Sequence, residues 1–203
     1  MVAIAPPDDG SNFSRWLPYV SVPDVDAAVL RGTNAGASVV VSARNVNVGR
    51  VAAIIDPEGA VIGLVDSDFG DPDDNTTSAA PGRPVWTELI ANDVKAEADF
   101  YLALGGYDVR TIDRRGGEYT LLASDGVDRA GMFQKPGDEL DPVWLTYFGV
   151  DDPAAAAERA VSLGGKILLP VSDELRDGTM ALVSDPTGAI LVLQLWSQSG
   201  GED

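Results

Sequence analysis

Short apolar segments and one amphipathic segment recur in the same order three times along the chain. In each copy an apolar strand leads to an Asp or Asn that can cap a helix, an apolar stripe at helical spacing follows, and glycine ends the helix. Three more strand-like segments close each copy, so the pattern predicts three β-α-β-β-β units and an α+β protein. The expected first strands and helices are 16–22 with 25–35, 84–91 with 94–104, and 143–150 with 153–163. The expected remaining strands are 38–44, 50–55 and 60–66, then 107–113, 118–123 and 129–135, then 167–171, 179–184 and 189–196.

The three copies are related in sequence. Segment 16–37 aligns without gaps on 144–165, and DPEGA at 56–60 matches DPTGA at 185–189 with one residue of slippage. A more divergent copy begins at Pro84. The D-P-x-G pieces are typical of hairpin turns. Since one unit cannot bury both its sheet and its helix, we expect the units to work in pairs.

The polar, acidic segment 68–83 is the one clear linker, because it is rich in Asp, Pro and Gly. It divides the chain into a half domain, 1–67, and a complete two-unit domain, 84–196, followed by a tail, 197–203. We expect 84–196 to fold when it is expressed alone.

The first residues predict a partner for copy one. The residues that precede Trp16 align with those that precede Trp144, which include the last strand of copy two. Residues 1–6 therefore match the last strand of a preceding unit whose body is absent. Either the reading frame is truncated, or a partner chain supplies the rest; an unrelated N-terminal strand is the alternative. A half domain exposes a strand edge and an apolar face. We therefore expect a homodimer in which the 1–67 segments complete each other, with packing of copy one onto 84–196 as the alternative.

Tandem βαβββ units with D-P-x-G before the last strand resemble the vicinal oxygen chelate superfamily of glyoxalases, bleomycin-resistance proteins and extradiol dioxygenases. The pairing of PVWTEL…AEADFY with WLTYFGV…DPTGAILVLQLW is similar to that of two-domain glyoxalase-like proteins, and this resemblance implies that the first unit is lacking here. The resemblance covers 16–67 and 84–196. It implies curled mixed sheets with flanking helices and a ligand cavity inside the curl, on a fold that hosts many chemistries.

Metalloenzymes of that superfamily take their ligands, usually His and Glu, from the first and last strands of a unit. The equivalent first-strand positions here are Leu17, Trp86 and Leu145, and the last-strand positions are Gly63 and Val192. Segment 129–135 contains no carboxylate. Alkyl and indole groups do not bind metal ions. We therefore expect no metal and no other cofactor.

Strand alternation selects the residues that would face the cavity. The expected ligand-binding residues are Trp86, Glu88, Ile90, Leu145, Tyr147, Ile190, Val192 and Gln194. Aromatic surfaces with a few polar tips suit a flat or hydrophobic ligand, although core packing is the alternative role for each aromatic residue. Glu88 is the residue whose type and position point most directly to a function. It could act as an acid or base or bind a cation, and a salt bridge at a rim or interface is the alternative.

Composition narrows the possible chemistry. The 203 residues include no Cys and no His, so disulfides, thiolate sites and imidazole bases are excluded. Proton transfer would have to use a carboxylate or a tyrosine: Glu88, Tyr147 or Tyr19. The formal net charge of −18 disfavours nucleic acid, and no apolar run is long enough to span a membrane. We expect a cytoplasmic protein whose partners are a small molecule and a second copy.

Three functions remain open at this point. The first is metal-independent binding of a small hydrophobic or aromatic ligand, either neutral or, as the acidic composition allows, cationic. The second is a metal-independent isomerase, cyclase or lyase of secondary metabolism in which Glu88 or Tyr147 moves a proton. The third is a degenerate scaffold that only dimerises. An open cavity without a titratable group favours the first, an isolated Glu88 favours the second, and a filled cavity favours the third.

Overall fold

The structure is a computed structural model. It describes the backbone of 2–5 and residues 14–71, 80–114, 117–137 and 140–196. Strand β1, Val2–Ala5, falls within the predicted segment 1–6. The rest of that segment, the middle of the linker and the tail 197–203 lie outside the described residues.

Each copy has the predicted β-α-β-β-β order, which confirms the α+β fold of repeated units. Copy one contains β2 (Arg15–Ser21), α1 (Val25–Asn34), β3 (Ser38–Val46), β4 (Gly49–Ile55) and β5 (Val61–Ser67). Copy two contains β6 (Pro84–Ala91), α2 (Val94–Gly105), β7 (Asp108–Arg114), β8 (Gly117–Ser124) and β9 (Val127–Gln134). Copy three contains β10 (Val143–Val150), α3 (Pro153–Ser162), β11 (Lys166–Leu169), β12 (Met180–Ser184) and β13 (Ile190–Leu195), with a short 3-10 turn at Arg176–Gly178.

The three copies share one strand order. It is β2-β5-β4-β3 in copy one, β6-β9-β8-β7 in copy two and β10-β13-β12-β11 in copy three. The first and last strands of each copy run parallel, and the other neighbours run antiparallel. The parallel pairs are Tyr19 with Gly63, Glu88 with Gly131 and Tyr147 with Val192. Glu88 therefore takes, in copy two, the place that a tyrosine takes in the other two copies.

The helices begin where the sequence predicts. The side chains of Asp24, Asp93 and Asp152 each accept a hydrogen bond from a backbone amide of the first helical turn. The helical spacing of apolar residues in 94–104 predicts that Leu102 belongs to the buried stripe of α2, which is wrong, because Leu102 is 49% exposed. The buried stripe runs through Tyr101 and Leu104, which lie three residues apart on one helix face. Within the described residues, no helix is long and apolar enough to cross a bilayer.

The described residues divide into two compact units. Unit 1 takes those between Leu17 and Pro72 and between Thr87 and Trp144. Unit 2 takes those between Val2 and Trp16, between Asp73 and Trp86, and from Leu145 onward. Unit 1 therefore holds most of copies one and two, and unit 2 holds most of copy three.

Copies one and two share one hydrophobic core in unit 1. Side chains of both copies form a single buried cluster that includes Ile54, Ile62, Leu64, Leu89, Tyr101, Leu104 and Met132. The Arg31 guanidinium of α1 donates to the carbonyl of Leu104 at the end of α2, at 2.9 Å. A side chain at Gly32 would have its Cβ 3.2 Å from Ile54 and from Leu104, so glycine permits this close approach. Packing of copy one against the following copy, the alternative to a dimer, is thus present within the chain, and the dimer stays a prediction.

Unit 2 has its own smaller core, in which α3 covers the strands of copy three. Its buried members are Ala157, Ala181, Val183 and Leu193. The Trp16 ring meets the Phe148 ring edge-on, with 5.1 Å between their centroids.

Candidate functional site

The strands of copy two have one face that packs against α2, and within the described part of unit 1 the core that includes helix residues lies on that face. We call the opposite face the helix-free face. Leu89 and Met132 belong to the core that contains residues of α2. Because side chains alternate along a strand, Glu88 and Ile90 lie on the helix-free face, and Trp86 has the same orientation. This is the arrangement that strand alternation predicts. The predicted ligand-binding role of Trp86 and Ile90 stays a prediction.

Glu88 is the charged residue at the centre of that face. It is 0% exposed, and its Oε1 accepts a hydrogen bond of 2.5 Å from the hydroxyl of Tyr119 on β8. Tyr119 is itself buried. A rim position for Glu88 is therefore wrong, because the carboxylate lies in the interior. Hydrogen bonds to a carboxylate are stronger than those between neutral groups, so the phenol and the carboxylate hold each other in place.

A glycine makes room for this pair. An added Cβ at Gly131, the register partner of Glu88, would lie 1.7 Å from the Tyr119 hydroxyl. Copy one uses the same arrangement, since an added Cβ at Gly63 would lie 2.5 Å from the Tyr19 ring. In both copies a tyrosine thus covers the glycine of the last strand. Copy two supplies its tyrosine from β8, which leaves the first-strand position for the carboxylate of Glu88.

A cation lies over the ring of Tyr119, the partner of Glu88. The Arg114 guanidinium carbon lies 3.8 Å from the centroid of the Tyr119 ring. A guanidinium over an aromatic face is attracted by the ring electrons. The helix-free face of copy two therefore joins a carboxylate, a phenol and a guanidinium.

The predicted residues of copy three lie in unit 2, as does Trp86 of copy two, whereas Glu88 and Ile90 lie in unit 1. Tyr147 and its register partner Val192 are buried, as is Leu145, while Ile190 and Gln194 are half-buried. The Gln194 amide donates to the carbonyl of Thr179 at 3.1 Å. That these residues and those around Glu88 line one cavity stays a prediction.

The donor set does not fit a metal ion. The positions that carry ligands in the superfamily's metalloenzymes hold Trp86, Leu145 and Val192, which offer no oxygen or imidazole nitrogen. Among the residues with described positions, no three His, Cys, Asp or Glu side chains cluster in a way that could hold a metal ion. We derive no chemical step through a metal, and metal independence remains a prediction.

A second polar group, which the sequence analysis missed, lies buried in the shared core of unit 1. The Tyr101 hydroxyl donates to Asp56 at 2.8 Å and accepts from the Trp144 indole N–H at 2.8 Å. The other Asp56 oxygen accepts from the backbone amides of Glu58 and Ala60, which closes the D-P-x-G turn. Asp185 accepts the equivalent amides in copy three. The turn motif therefore holds a carboxylate in place, and only the fold brings Tyr101 to it.

Glu97 lies beside this group and is 1% exposed. Neither of its carboxylate oxygens makes a hydrogen bond of normal geometry with the described residues, although the Asp56 side chain and the Glu58 backbone lie near enough to act on its pKa. Burial, followed by the negative charges of Asp56 and Glu58, raises the pKa of Glu97 to about 8. Burial also raises the pKa of Asp56 and lifts the pKa of Tyr101 well above its usual value. The contact between copies one and two therefore contains buried acidic groups, of which Glu97 accepts no hydrogen bond of normal geometry from the described residues.

Comparison with known proteins places the chain in a family. Residues 83–193 match the model of the Glyoxalase/Bleomycin resistance protein/Dioxygenase superfamily. The chain belongs to that superfamily, which confirms the resemblance drawn from its repeats.

Particular relatives extend this match over most of the chain. The chain is 31% identical over 197 residues to the protein named "Putative glyoxylase CFP32" of Mycobacterium tuberculosis, covering 94% of this chain and 74% of that protein. It is 34% identical over 128 residues to anthracycline biosynthesis protein DnrV of Streptomyces peucetius, covering 56% of this chain and 46% of DnrV.

Solved structures share the fold. The Mn(II)-bound glyoxalase from Novosphingobium aromaticivorans superposes with a TM-score of 0.55 at 14% identity, covering 91% of this chain and 64% of that chain. At this identity the likeness shows the fold alone.

Proposed function

We propose that the protein binds a small, mainly apolar molecule on the helix-free face of copy two, without a metal ion, and that Glu88 is the polar anchor. The observation that carries the proposal is the fully buried Glu88 carboxylate, held by Tyr119 on the face of the copy-two strands opposite α2. Ligand pockets in proteins are mostly apolar and contain a few fixed polar groups. Ile90, on the same face of β6, supplies apolar surface beside Glu88.

A metal-independent enzyme is the second candidate, and the same hydrogen bond favours it. A phenol that donates to a carboxylate at 2.5 Å forms a short path for a proton. In an isomerase, Glu88 would take a proton from one position of the ligand, become a neutral carboxylic acid, and return the proton at another position. Tyr119 would donate to the carboxylate before the first transfer and again after the second. Tyr147, the other predicted acid or base, lies in unit 2 beside the Arg176 guanidinium, 5.3 Å from its ring centroid.

The names of the relatives suggest the first ligand to test. One relative is named for anthracycline biosynthesis. An uncharged anthracycline aglycone is therefore a suitable probe, since it offers a flat aromatic surface and brings no ammonium group. We expect its binding to quench tryptophan fluorescence, because Trp86 stands two residues before Glu88 on strand β6.

The variants in this titration are Glu88→Gln, Tyr119→Phe and the control Glu118→Gln, which removes an equal charge from an exposed position on β8. Loss of a charged hydrogen-bonding group costs about 1.5–3 kcal/mol, so we expect Glu88→Gln to weaken binding by about tenfold or more. Glu118→Gln should bind like the wild type. Equal affinities of Glu88→Gln and wild type would contradict the proposed anchor. Chromatography of the recovered aglycone separates the two candidates: an unchanged compound supports binding alone, and a converted compound supports the enzyme.

We also propose the cytoplasmic homodimer that the sequence predicts, with the 1–67 segments in contact. Exposed apolar side chains on β3 support a contact in this region. Val39, Val40 and Val46 are 42%, 43% and 38% exposed. Apolar side chains on an exposed strand are normally covered in solution.

A further inference from the structure

An open pocket of about 400 Å³ lies on the helix side of unit 1, where copy one meets α2. Its apolar lining consists of Ala35, Pro57, Ala96 and Phe100. Its polar lining consists of three carboxylates, Glu58, Glu97 and Asp99. This volume is within the range of small-molecule sites in proteins. The pocket is distinct from the Glu88 face, because it borders α2 and Glu88 faces away from that helix.

Two of the three carboxylates are already engaged. The Glu58 carboxylate accepts hydrogen bonds from the backbone amides of Asn92 and Asp93, which precede α2. Asp99 pairs with Lys95 at 2.9 Å. Glu97 differs from both, since it is almost fully buried and both of its oxygens lack a donor among the described residues. An acceptor that is buried without a partner costs free energy, which a bound donor would recover.

The cationic side chains of the two helices beside the pocket are used elsewhere. Lys95 is bound to Asp99, and Arg31 donates to the carbonyl of Leu104. The charged groups that act on the Glu97 carboxyl are both acidic, Asp56 and Glu58. The pocket therefore presents negative charge and an unused acceptor next to the Phe100 side chain.

We propose that this pocket binds a small organic ammonium ion, with the ammonium group on Glu97 and an apolar substituent against Phe100 and Pro57. Three donors of a primary ammonium match the free acceptors of the carboxylate. The apolar lining selects an organic cation over a hydrated inorganic one, and no cluster of metal-binding side chains is found among the described residues. The proposal is independent of the ligand proposed for Glu88.

Binding of an ammonium ion at Glu97 is expected to release a proton from the Glu97 carboxyl group. The raised pKa leaves Glu97 mostly protonated at pH 7, and an ammonium ion favours its ionised form. Ligand binding at pH 7 should therefore release close to one proton. The titratable groups around Glu97 are Asp56, Glu58, Asp99 and Tyr101. The nearby cations are already bound, Lys95 to Asp99 and Arg31 to the carbonyl of Leu104.

Calorimetric titration of the full chain with benzylammonium tests the site, with benzyl alcohol as the uncharged match. We expect benzylammonium to bind, benzyl alcohol to bind at least about tenfold more weakly, and titrations in two buffers of different ionisation enthalpy to show proton release. Glu97→Gln should weaken benzylammonium binding by about tenfold or more and abolish proton release. Glu158→Gln, an equal change at an exposed position of α3, should leave both unchanged.

Three results would overturn the proposal. One is no binding of benzylammonium by the wild type. Another is equal affinity for benzyl alcohol, which would make the pocket a merely apolar groove. The third is equal affinity of the wild type and Glu97→Gln, which would place the ammonium group on another carboxylate.

Discussion

Replacing Tyr101 by phenylalanine is expected to lower the free energy of unfolding of unit 1 by about 3 kcal/mol. The substitution keeps the ring and removes a hydroxyl that is fully buried. It leaves Asp56 without its side-chain donor and the Trp144 indole N–H without its acceptor. Each buried polar group left without a partner costs about 1–3 kcal/mol. Urea unfolding followed by tryptophan fluorescence measures the change, because Trp144 reports directly on this site.

Tyr19→Phe is the matched control for that experiment. It removes the same atom from a half-buried tyrosine whose ring lies over Gly63, so its effect should stay below about 0.5 kcal/mol. Similar losses in the two variants would show that the Asp56–Tyr101–Trp144 hydrogen bonds do not hold copies one and two together.

Unit 1 of the wild type is expected to lose stability as the pH rises from 5 to 9, and Glu97→Gln is expected to lose much less. The pKa of Glu97 is about 8 in the folded protein, against an ordinary value of 4.5. Between these values the folded state binds more protons than the unfolded state, so its stability falls as the pH rises and levels off above about pH 8. One pKa unit corresponds to about 1.4 kcal/mol, which sets an upper bound of about 5 kcal/mol for the loss. The raised pKa of Asp56 adds a smaller loss of the same sign.

Urea midpoints measured at intervals across this pH range test the prediction. Glu97→Gln should match the wild type within about 1 kcal/mol near pH 5 and exceed its stability at pH 8 and above. Glu158→Gln changes the net charge equally at an exposed site and should follow the wild-type curve. Parallel curves for Glu97→Gln and wild type would mean that Glu97 is ionised in the folded protein at neutral pH.

Repetition in the sequence predicted most of the fold. Asp24, Asp93 and Asp152 stand at equivalent positions of the three copies and cap the helices. Once these caps fixed the predicted helix starts, the strands before and after each helix could be predicted too. Alternation from Trp86 also put Glu88 on the face without helices. The strands could be oriented in this way because their period of two leaves only two choices.

The partners of the polar groups could not be predicted in the same way. Tyr119 is 31 residues from Glu88, and Tyr101 is 45 residues from Asp56. Only strand order and helix packing bring such positions together, and neither has a local sequence signal. One sequence feature could have predicted an aromatic residue such as Tyr119 beside Glu88. Gly131 stands at the last-strand position that Gly63 holds in copy one, where the glycine makes room for the Tyr19 ring. Glu97 was missed because an acid on a helix normally faces solvent, whereas here the shared core of copies one and two covers it.

Native mass spectrometry of freshly purified protein tests the central proposal, metal-free binding of a small molecule at Glu88, most directly. The wild type should carry an organic adduct that is lost on denaturation and no stoichiometric metal ion. Glu88→Gln should lose the adduct, while Glu97→Gln should retain it, since its pocket is a different one. A stoichiometric metal ion in the wild type, or an adduct that Glu88→Gln retains in full, would contradict the proposal.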